Sequence, residues 1–525
     1  MMESENNKGW NNPAGRALGC FNMRDAKWLL AFFAVYMLVY ASYLFSGVVH
    51  VEDLLEGKVG PEYLSNGRFV IWILRRITGG FAVIYPAAGV VSGLFISAAL
   101  LLQVKLLGLN RNFQRFAYGC IYVGCTQWMG VLFFQKMCDG AALGILLSTL
   151  AVILTLSGRR WQIVLAVLCC TLGVACYHTI VLVYATLMFA WFLFRAVDNL
   201  SERPDFRCLL HGLGVCAVSC TLYFAIAATI KFFLPHDVLA GTADYQQSIV
   251  GWQSMHGVPD YCRLMWDYGV VEPFRKMFSA DGKIYTYGWV AVGALSVLSW
   301  RRLGWRKAAM IAAGGITLLC IPYLSGIMLL SPIGTESRVL LAKPLALACC
   351  VGLLLCHPVC SLAYFRRVLL VVVSFVVMQS TYRVSNTAKN EQYGAATALA
   401  ELRDMNARGQ AAGVQAGCLD CPILLCGRLP GDYHQDSRIQ QRRSSYWISS
   451  CASPFLFAHP KRRVAEFTVQ SYIRSERLPR LKVASREQEA EHAQALREMP
   501  IWPADGSVRV DKGVVIIKIW EPLGD

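Results

Sequence analysis

The sequence predicts a polytopic α-helical membrane protein that ends in a small α/β domain outside the cytoplasm. Hydrophobic residues make up 55% of the 525 residues and charged residues only 16%, whereas a soluble domain carries roughly 25% charged residues. The apolar residues collect in runs long enough to cross a bilayer, which takes about 20 residues in a helix. Residues 384–525, by contrast, have the composition of an ordinary soluble domain.

Eleven apolar runs are predicted to span the membrane and to form a domain over residues 28–383. The first run, 28–49, follows a polar segment, 1–27, and has no small-residue cleavage site after it. We therefore interpret it as a retained span rather than a signal peptide. The other runs lie near 81–104, 116–135, 141–156, 161–176, 179–195, 210–233, 285–300, 308–328, 341–356 and 367–383.

The distribution of charge orients these spans. The chain has a net charge of +16, and 13 of the surplus positive charges lie in residues 1–383. If segment 1–27 is cytoplasmic, every inner loop is basic, and outer loops 50–68, 234–284 and 329–340 hold most of the acids of the membrane region. Because cytoplasmic loops are enriched in Lys and Arg, this alternation places the tail outside the cytoplasm. No long basic run predicts nucleic-acid binding.

The tail has the pattern of a small α/β domain. Helical periodicity covers 390–408 and 487–499, a short buried strand is predicted at 422–426, and a hairpin over 507–520 would turn at Asp511-Lys512-Gly513. In an oxidising compartment the tail cysteines are predicted to form two disulfides. A zinc site beginning at the Cys-x-x-Cys pair and free thiols are the alternatives. The four cysteines are Cys418, Cys421, Cys426 and Cys451.

Two adjacent carboxylates, Glu52 and Asp53, follow the first span. A carboxylate that is partly desolvated and close to another acid has a raised pKa and can act as a general base. The alternative is that both are solvated loop acids without a chemical role.

Arginines in the outer loops are contrary to the enrichment of basic residues in cytoplasmic loops, so we expect them to have a specific role. They could bind a phosphate through charge-assisted, bidentate hydrogen bonds. Two of them fall in a predicted amphipathic helix over 69–78, where contact with lipid phosphates is the alternative. The last one could instead pair with nearby Glu336. These arginines are Arg68, Arg75, Arg76 and Arg338.

Four further outer residues are candidate contacts for a sugar or an acceptor: Asp139, His178, Trp252 and Glu336. Aromatic residues beside acids suit stacking on sugar rings, and they equally suit an aromatic belt at the membrane interface. A lone histidine such as His178 is usually structural. No phosphate-binding loop, zinc-protease motif, catalytic triad signature or dinucleotide fingerprint occurs, so we predict neither an ATP-driven pump nor a metal site.

The order of these features resembles the type II serotype-converting O-antigen glucosyltransferases of bacteria. The shared features are an N-terminal span, an outer loop that opens with Glu52-Asp53 and closes with Asn66-Gly67-Arg68, the turn Glu336-Ser337-Arg338-Val339-Leu340, and an outward domain with the stretch Met499-Pro500-Ile501-Trp502-Pro503. This chain has Glu-Asp where the family pattern would have Asp-Asp, which leaves open which acid is the base.

The resemblance implies a GT-C-like glycosyltransferase of the bacterial inner membrane, with the domain 384–525 in the periplasm. Such an enzyme would move glucose from an undecaprenyl-phosphate donor to an O-antigen glycan of lipopolysaccharide on the periplasmic face, in one inverting displacement. Asp53 or Glu52 would be the base, and Arg68 and Arg338 would stabilise the leaving phosphate. No cofactor is required, although a divalent cation on the acidic pair is an alternative.

Three other functions are compatible with the sequence. An O-antigen polymerase, or a transferase of another polyprenyl-phosphate sugar, would act at the same outer face. A transporter or flippase for a lipid-linked saccharide would favour charges deep inside spans, but Lys231 and Lys343 lie near span ends. A membrane scaffold without activity is the third alternative.

Overall fold

The computed structural model describes residues 13–19, 21–46, 60–78, 86–132, 135–198, 206–236, 238–239, 257–267, 271, 275, 283–329, 339–357, 362–418, 420–427, 473, 478 and 480–519. These residues divide into two compact units. The first holds the described residues up to Phe45 and those from Gly60 to Ser385, and the second holds Ser46 and the described residues from Asn386 onward. Six residues with predicted roles lie outside the described residues: Glu52, Asp53, Trp252, Glu336, Arg338 and Cys451.

The first unit is built from α-helices. In chain order they are α1 Pro13–Leu18, α2 Met23–Leu44, α3 Gly60–Ser65, α4 Phe69–Ile77, α5 Ala87–Leu106, α6 Asn112–Gly124, α7 Met129–Leu132, α8 Gln135–Ser157, α9 Arg160–Cys176, α10 Ile180–Asp198, α11 Arg207–Phe232, α12 Val258–Trp266, α13 Lys283–Leu303, α14 Trp305–Cys320, α15 Leu324–Leu329 and α16 Lys343–Cys356. Helix α17, Ala363–Gln415, begins in this unit and ends in the second.

Seven helical segments among the described residues are long and apolar enough to cross a membrane, and two shorter apolar helices, α9 and α16, accompany them. The protein is therefore a polytopic membrane protein. The prediction of eleven spans stays a prediction. The seven segments are Met23–Leu44, Ala87–Leu106, Lys136–Ser157, Ile180–Val197, Arg207–Phe232, Ala308–Leu329 and Ala363–Lys389.

The first long helix starts at Met23 rather than at residue 28, because a polar cap precedes the apolar run. The side chain of Asn22 accepts a hydrogen bond from the backbone N–H of Asp25 at 3.0 Å, and the Asp25 carboxylate accepts one from the N–H of Asn22 at 3.4 Å. This reciprocal arrangement satisfies two backbone donors at the helix start. Asp25 also forms an ion pair with Lys105 at 3.1 Å, which ties α2 to the end of α5.

The predicted span 116–135 does not form one helix. Helix α6 ends at Gly124, and a short 3₁₀ turn, Thr126–Trp128, follows it. The buried hydroxyl of Tyr40 donates to the carbonyl oxygens of Val123 and Cys125, at 2.8 and 3.0 Å. These bonds come from another helix and satisfy the backbone acceptors that the helix end exposes.

Helix α2 packs its aromatic face against glycines of its neighbours. A Cβ atom at Gly93 of α5 would lie 2.5 Å from the ring of Tyr36, and one at Gly119 of α6 would lie 2.4 Å from the ring of Phe32. Both rings are buried. Close backbone approach at small residues is a general means of packing membrane helices, because lipid supplies no hydrophobic driving force between them.

The second unit contains a four-stranded sheet, β1 Ile423–Cys426, β2 Leu481–Val483, β3 Val508–Asp511 and β4 Val514–Lys518, in the order β2-β1-β4-β3. The central strand β1 runs parallel to β2 and to β4, and β3 pairs antiparallel with β4. The turn between β3 and β4 has positive φ at Lys512 and Gly513, as a two-residue hairpin requires. The predicted strand and the predicted hairpin turn are therefore confirmed.

Two layers of helix cover this sheet. Leu402 and Met405 of α17 pack with Ile423 and Leu425 on one face. On the other face, Leu496 lies with Leu424, Ile516 and neighbouring apolar side chains. The predicted helix 487–499 forms as two short helices, α18 Arg486–Glu491 and α19 Ala493–Glu498. The second unit is thus an α/β unit in its described part.

We expect the substitution Gly119→Ala to lower the free energy of unfolding by about 1–3 kcal/mol, since the added methyl group overpacks the contact with Phe32. The matched control is Gly214→Ala in α11, where an added Cβ meets nothing within 4 Å. That change should be neutral or stabilise by up to about 1 kcal/mol. Unfolding of the full-length protein in mixed micelles measures both, and equal stability of the two variants would contradict the packing described.

Candidate functional site

Helix α4 is fixed to the N-terminal part of α8 by a buried ion pair between Arg75 and Asp139. The guanidinium meets both carboxylate oxygens, and the Nη1–Oδ2 distance is 2.9 Å. Its Nε and Nη2 atoms also donate to the carbonyl oxygen of Lys136, at 3.0 and 2.9 Å. The Asp139 carboxylate accepts a further bond from the N–H of Gly140. Both charged groups are therefore hydrogen-bonded within the protein, which offsets the cost of burying them.

This geometry differs from two sequence predictions. Arg75 was predicted to bind the donor phosphate or a lipid phosphate, and Asp139 to face a sugar. In the structure the two side chains are 9% and 6% exposed and bind each other. The pairing satisfies both groups within the protein, because the Arg75 guanidinium meets both oxygens of the Asp139 carboxylate. The arrangement supports a structural role for the pair in place of contacts with substrate.

The turn before α4 places Arg68 between α8 and α9. Its Nη1 atom lies 2.9 Å from the sulfur of Met137, and its guanidinium carbon lies 5.0 Å from the centre of the Tyr177 ring. The Nε atom of Arg68 is buried and has no hydrogen-bond partner among the described residues. A buried donor without a partner is costly. An anionic oxygen is the kind of group that would satisfy it.

His178 holds the same turn from the other side. Its Nε2 atom lies 2.7 Å from the hydroxyl oxygen of Tyr223 in α11, and its ring also donates to the backbone of Asn66. The Tyr223 ring stacks on Phe69, the first residue of α4, with 6.2 Å between the ring centres. The predicted sugar contact at His178 is thus a residue whose ring binds protein groups on two sides.

Burial and nearby positive charge keep His178 neutral. Burial lowers the pKa of His178 to about 4, the charges of Arg68 and Lys231 act in the same direction, and the bond to the backbone of Asn66 opposes them. At neutral pH the site therefore consists of a fixed arginine beside an uncharged imidazole. Such an arrangement can stabilise an anion, and it supplies no carboxylate base among the described residues around Arg68.

The remaining predicted residues lie elsewhere. Arg76 is on the exposed side of α4, with its guanidinium 5.1 Å from the Trp72 ring centre, so a lipid contact there stays a prediction. Cys418 and Cys421 form a disulfide, so these two thiols are not available to a zinc ion. The prediction of two disulfides stays a prediction. Cys426 is buried in β1. No group of three or more potential metal ligands occurs in the described part of the chain.

Sequence reasoning missed Tyr223 and Met137. Both lie in or beside apolar runs, where a tyrosine or methionine is usually a packing residue. A weak signal was present for Tyr223, because it precedes Lys231 by roughly two helical turns on the same helix. A polar side chain two turns before a lysine at the end of a span indicates that the helix has a polar face. It does not identify the group that this face contacts.

Breaking the Arg75–Asp139 pair should destabilise the protein strongly. We expect Asp139→Ala to cost about 3–5 kcal/mol, because it leaves a buried guanidinium without its counter-charge, and the double substitution Arg75→Met with Asp139→Leu to recover most of that loss. The control is Asp404→Ala, which removes the exposed pair with Arg408 and should cost under about 1 kcal/mol. The free energy of unfolding in micelles measures these effects, and a small effect of Asp139→Ala would contradict the structural role.

The lowered pKa of His178 predicts a pH dependence of stability. In the unfolded chain a histidine takes up a proton near pH 6.5, whereas folded His178 does so near 4. Between these values the unfolded state binds more protons, so stability falls as the pH falls. We expect the melting temperature of the wild type to drop more than that of His178→Gln between pH 7 and pH 5. Parallel curves for the two proteins would show that His178 is protonated equally in both states.

Comparison with known proteins identifies the region that holds this geometry. No curated protein and no solved structure matches the chain. The family described as Glucosyl transferase GtrII matches residues 51–348, a stretch that covers more than half of the chain and includes Arg68, Asp139, His178 and Tyr223. The chain therefore belongs to the glucosyl transferase GtrII family and is a membrane glycosyltransferase.

Proposed function

We propose that the protein transfers glucose from a polyprenyl-phosphate donor to an O-antigen glycan at the periplasmic face of a bacterial inner membrane. The observation that carries the proposal is the position of Arg68 and the absence of a hydrogen-bond partner for its buried Nε among the described residues. This arginine lies in the family region, its buried Nε has no partner among the described residues, and it ends the loop that begins with Glu52 and Asp53.

A lipid-linked donor fits this position better than a soluble nucleotide sugar. The donor phosphate would lie at the membrane boundary while its polyprenyl chain stays in lipid. Arg68 stands just before the amphipathic helix α4, which buries Phe69 and Ile71 and exposes Ile73 and Ile77. A helix of this kind lies in the interface between headgroups and acyl chains. The position of Arg68 beside this helix supports a contact with a phosphate at that depth.

Charge and cysteine chemistry support the periplasmic side. The opposite ends of the helices carry basic residues, among them Lys105, Arg159 and Arg195, as cytoplasmic ends do. The disulfide Cys418–Cys421 lies in the second unit, and disulfides persist in oxidising compartments such as the periplasm. Both observations favour an outer location for the domain 384–525.

The proposed reaction is a single displacement. Asp53 or Glu52 removes the proton of the acceptor hydroxyl, and the hydroxyl oxygen attacks the anomeric carbon. The bond from that carbon to the phosphate oxygen breaks, and polyprenyl phosphate leaves with the electron pair. Arg68, with Arg338 from a later loop, stabilises the charge on the leaving phosphate. Attack opposite to the leaving group inverts the anomeric centre.

The acid pair provides the test. We expect purified full-length protein to transfer glucose from polyprenyl-phosphate glucose to lipopolysaccharide, and we expect either Asp53→Asn or Glu52→Gln to lower the rate by about 10²–10⁴-fold, as loss of a general base does. Glu56→Gln in the same loop is the matched control and should stay near the wild-type rate.

Full activity in both acid variants would contradict the base assignment. Transfer from other polyprenyl-phosphate sugars but not from the glucose donor would overturn the sugar, and no transfer from any of them would overturn the donor class. A polymerase would depend on its outer arginines more than on the acids, and the same variants distinguish it.

A further inference from the structure

We infer that His178 and Tyr223 are positioning residues that hold Arg68 in the orientation in which it meets the leaving phosphate. The inference rests on the proposed function only in naming the ligand of Arg68. The placement of Arg68 by this pair is a statement about the protein itself and can be tested without turnover.

The pair joins the turn to two separate helices. His178 lies between α9 and α10, and Tyr223 lies in α11. The ring of His178 donates to the backbone of Asn66, and its Nε2 is 2.7 Å from the Tyr223 hydroxyl. The imidazole of His178 therefore links the backbone of Asn66 to the hydroxyl of Tyr223, and its tautomer sets which of the two side chains donates in the bond to Tyr223. The residue just before Gly67 and Arg68 is thereby bound to the helical scaffold.

Gly67 shows how closely the turn fits against the pair. It has a φ of +71°, which favours glycine, and a Cβ built there would lie 2.0 Å from the Tyr223 hydroxyl oxygen and 3.4 Å from Nε2 of His178. The backbone of the turn therefore lies directly on the hydrogen bond between the two side chains. Phe69, on the other side of Arg68, stacks on the same tyrosine. Both neighbours of Arg68 in the chain thus contact Tyr223.

The contact of the turn with His178 and Tyr223 orients the side chain of Arg68. The described contacts of the guanidinium itself are weak, namely the sulfur of Met137 and the face of the Tyr177 ring. Its buried Nε has no partner among the described residues. The direction in which Arg68 points therefore depends on its backbone, which donates to the carbonyl oxygen of Tyr63 at 2.7 Å and lies in a turn that contacts His178 and Tyr223. The pair adds no charge of its own, because His178 is neutral.

The substitution Tyr223→Phe tests the inference with the smallest change. It removes the hydroxyl and keeps the ring that stacks on Phe69. We expect kcat/KM for the donor to fall by about five- to tenfold, the value of one positioning hydrogen bond. In the Arg68→Ala background the same substitution should change kcat/KM by less than about twofold, because residues that act through one another are not additive. Equal losses in both backgrounds would overturn the positioning role.

A matched control excludes a general effect of losing a buried hydroxyl. Tyr184→Phe removes a hydroxyl that lies 3.0 Å from that of Thr155 and 3.3 Å from the carbonyl oxygen of Gly212. It should leave the donor kcat/KM unchanged in either background. A loss in Tyr184→Phe as large as that in Tyr223→Phe would overturn the inference.

A second measurement needs no activity. Phenylglyoxal modifies exposed guanidinium groups, and mass spectrometry of the full-length protein in micelles reports its rate at Arg68. We expect faster modification of Arg68 in Tyr223→Phe and His178→Ala than in the wild type and in Tyr184→Phe, and equal rates would overturn the inference. If His178→Ala does not fold, Tyr223→Phe alone decides. If the wild type transfers no glucose, the proposed function fails, while the modification rates still test the placement of Arg68.

Discussion

The buried ion pair between Arg75 and Asp139 fixes the position of helix α4, and the arrangement around Arg68 depends on that helix. The guanidinium reaches the carboxylate and the carbonyl oxygen of Lys136, while Ile71 packs so closely on Gly140 that a Cβ there would lie 2.6 Å from it. A buried ion pair of this kind adds little net stability over apolar packing, but removal of one partner is costly. The effect of the pair is to favour one position of α4 on α8 over other positions.

Once α4 is seated, the turn before it has little freedom. The turn residues Asn66 and Gly67 lie against His178 and Tyr223, and Arg68 follows with its side chain between α8 and α9. Two kinds of arginine thus stand seven residues apart on one short segment. Arg75 is satisfied within the protein, whereas the Nε of Arg68 has no partner among the described residues. The first organises the segment, and the second is available to a ligand.

Elements with a strong local signal could be predicted from the sequence. The amphipathic helix over 69–78 is observed at Phe69–Ile77, and the hairpin at Asp511-Lys512-Gly513 has positive φ at Lys512 and at Gly513, where a glycine favours it. Contacts between distant segments could not be predicted. Arg75 and Asp139 are separated by 64 positions, so their pairing follows from packing rather than from spacing. The end of α6 at Gly124 likewise depends on a hydroxyl from another helix, that of Tyr40.

The central claim is that the donor phosphate binds at Arg68, and photo-crosslinking tests it most directly. A polyprenyl phosphate with a diazirine in its first isoprene unit would be bound to the full-length protein in nanodiscs, irradiated and located by mass spectrometry. The account predicts label on peptides that contain Met137, Tyr177 or Tyr223, lost in Arg68→Ala and displaced by polyprenyl-phosphate glucose. Label confined to the basic helix ends near Arg111 and Arg159, or label that persists unchanged in Arg68→Ala, would contradict it.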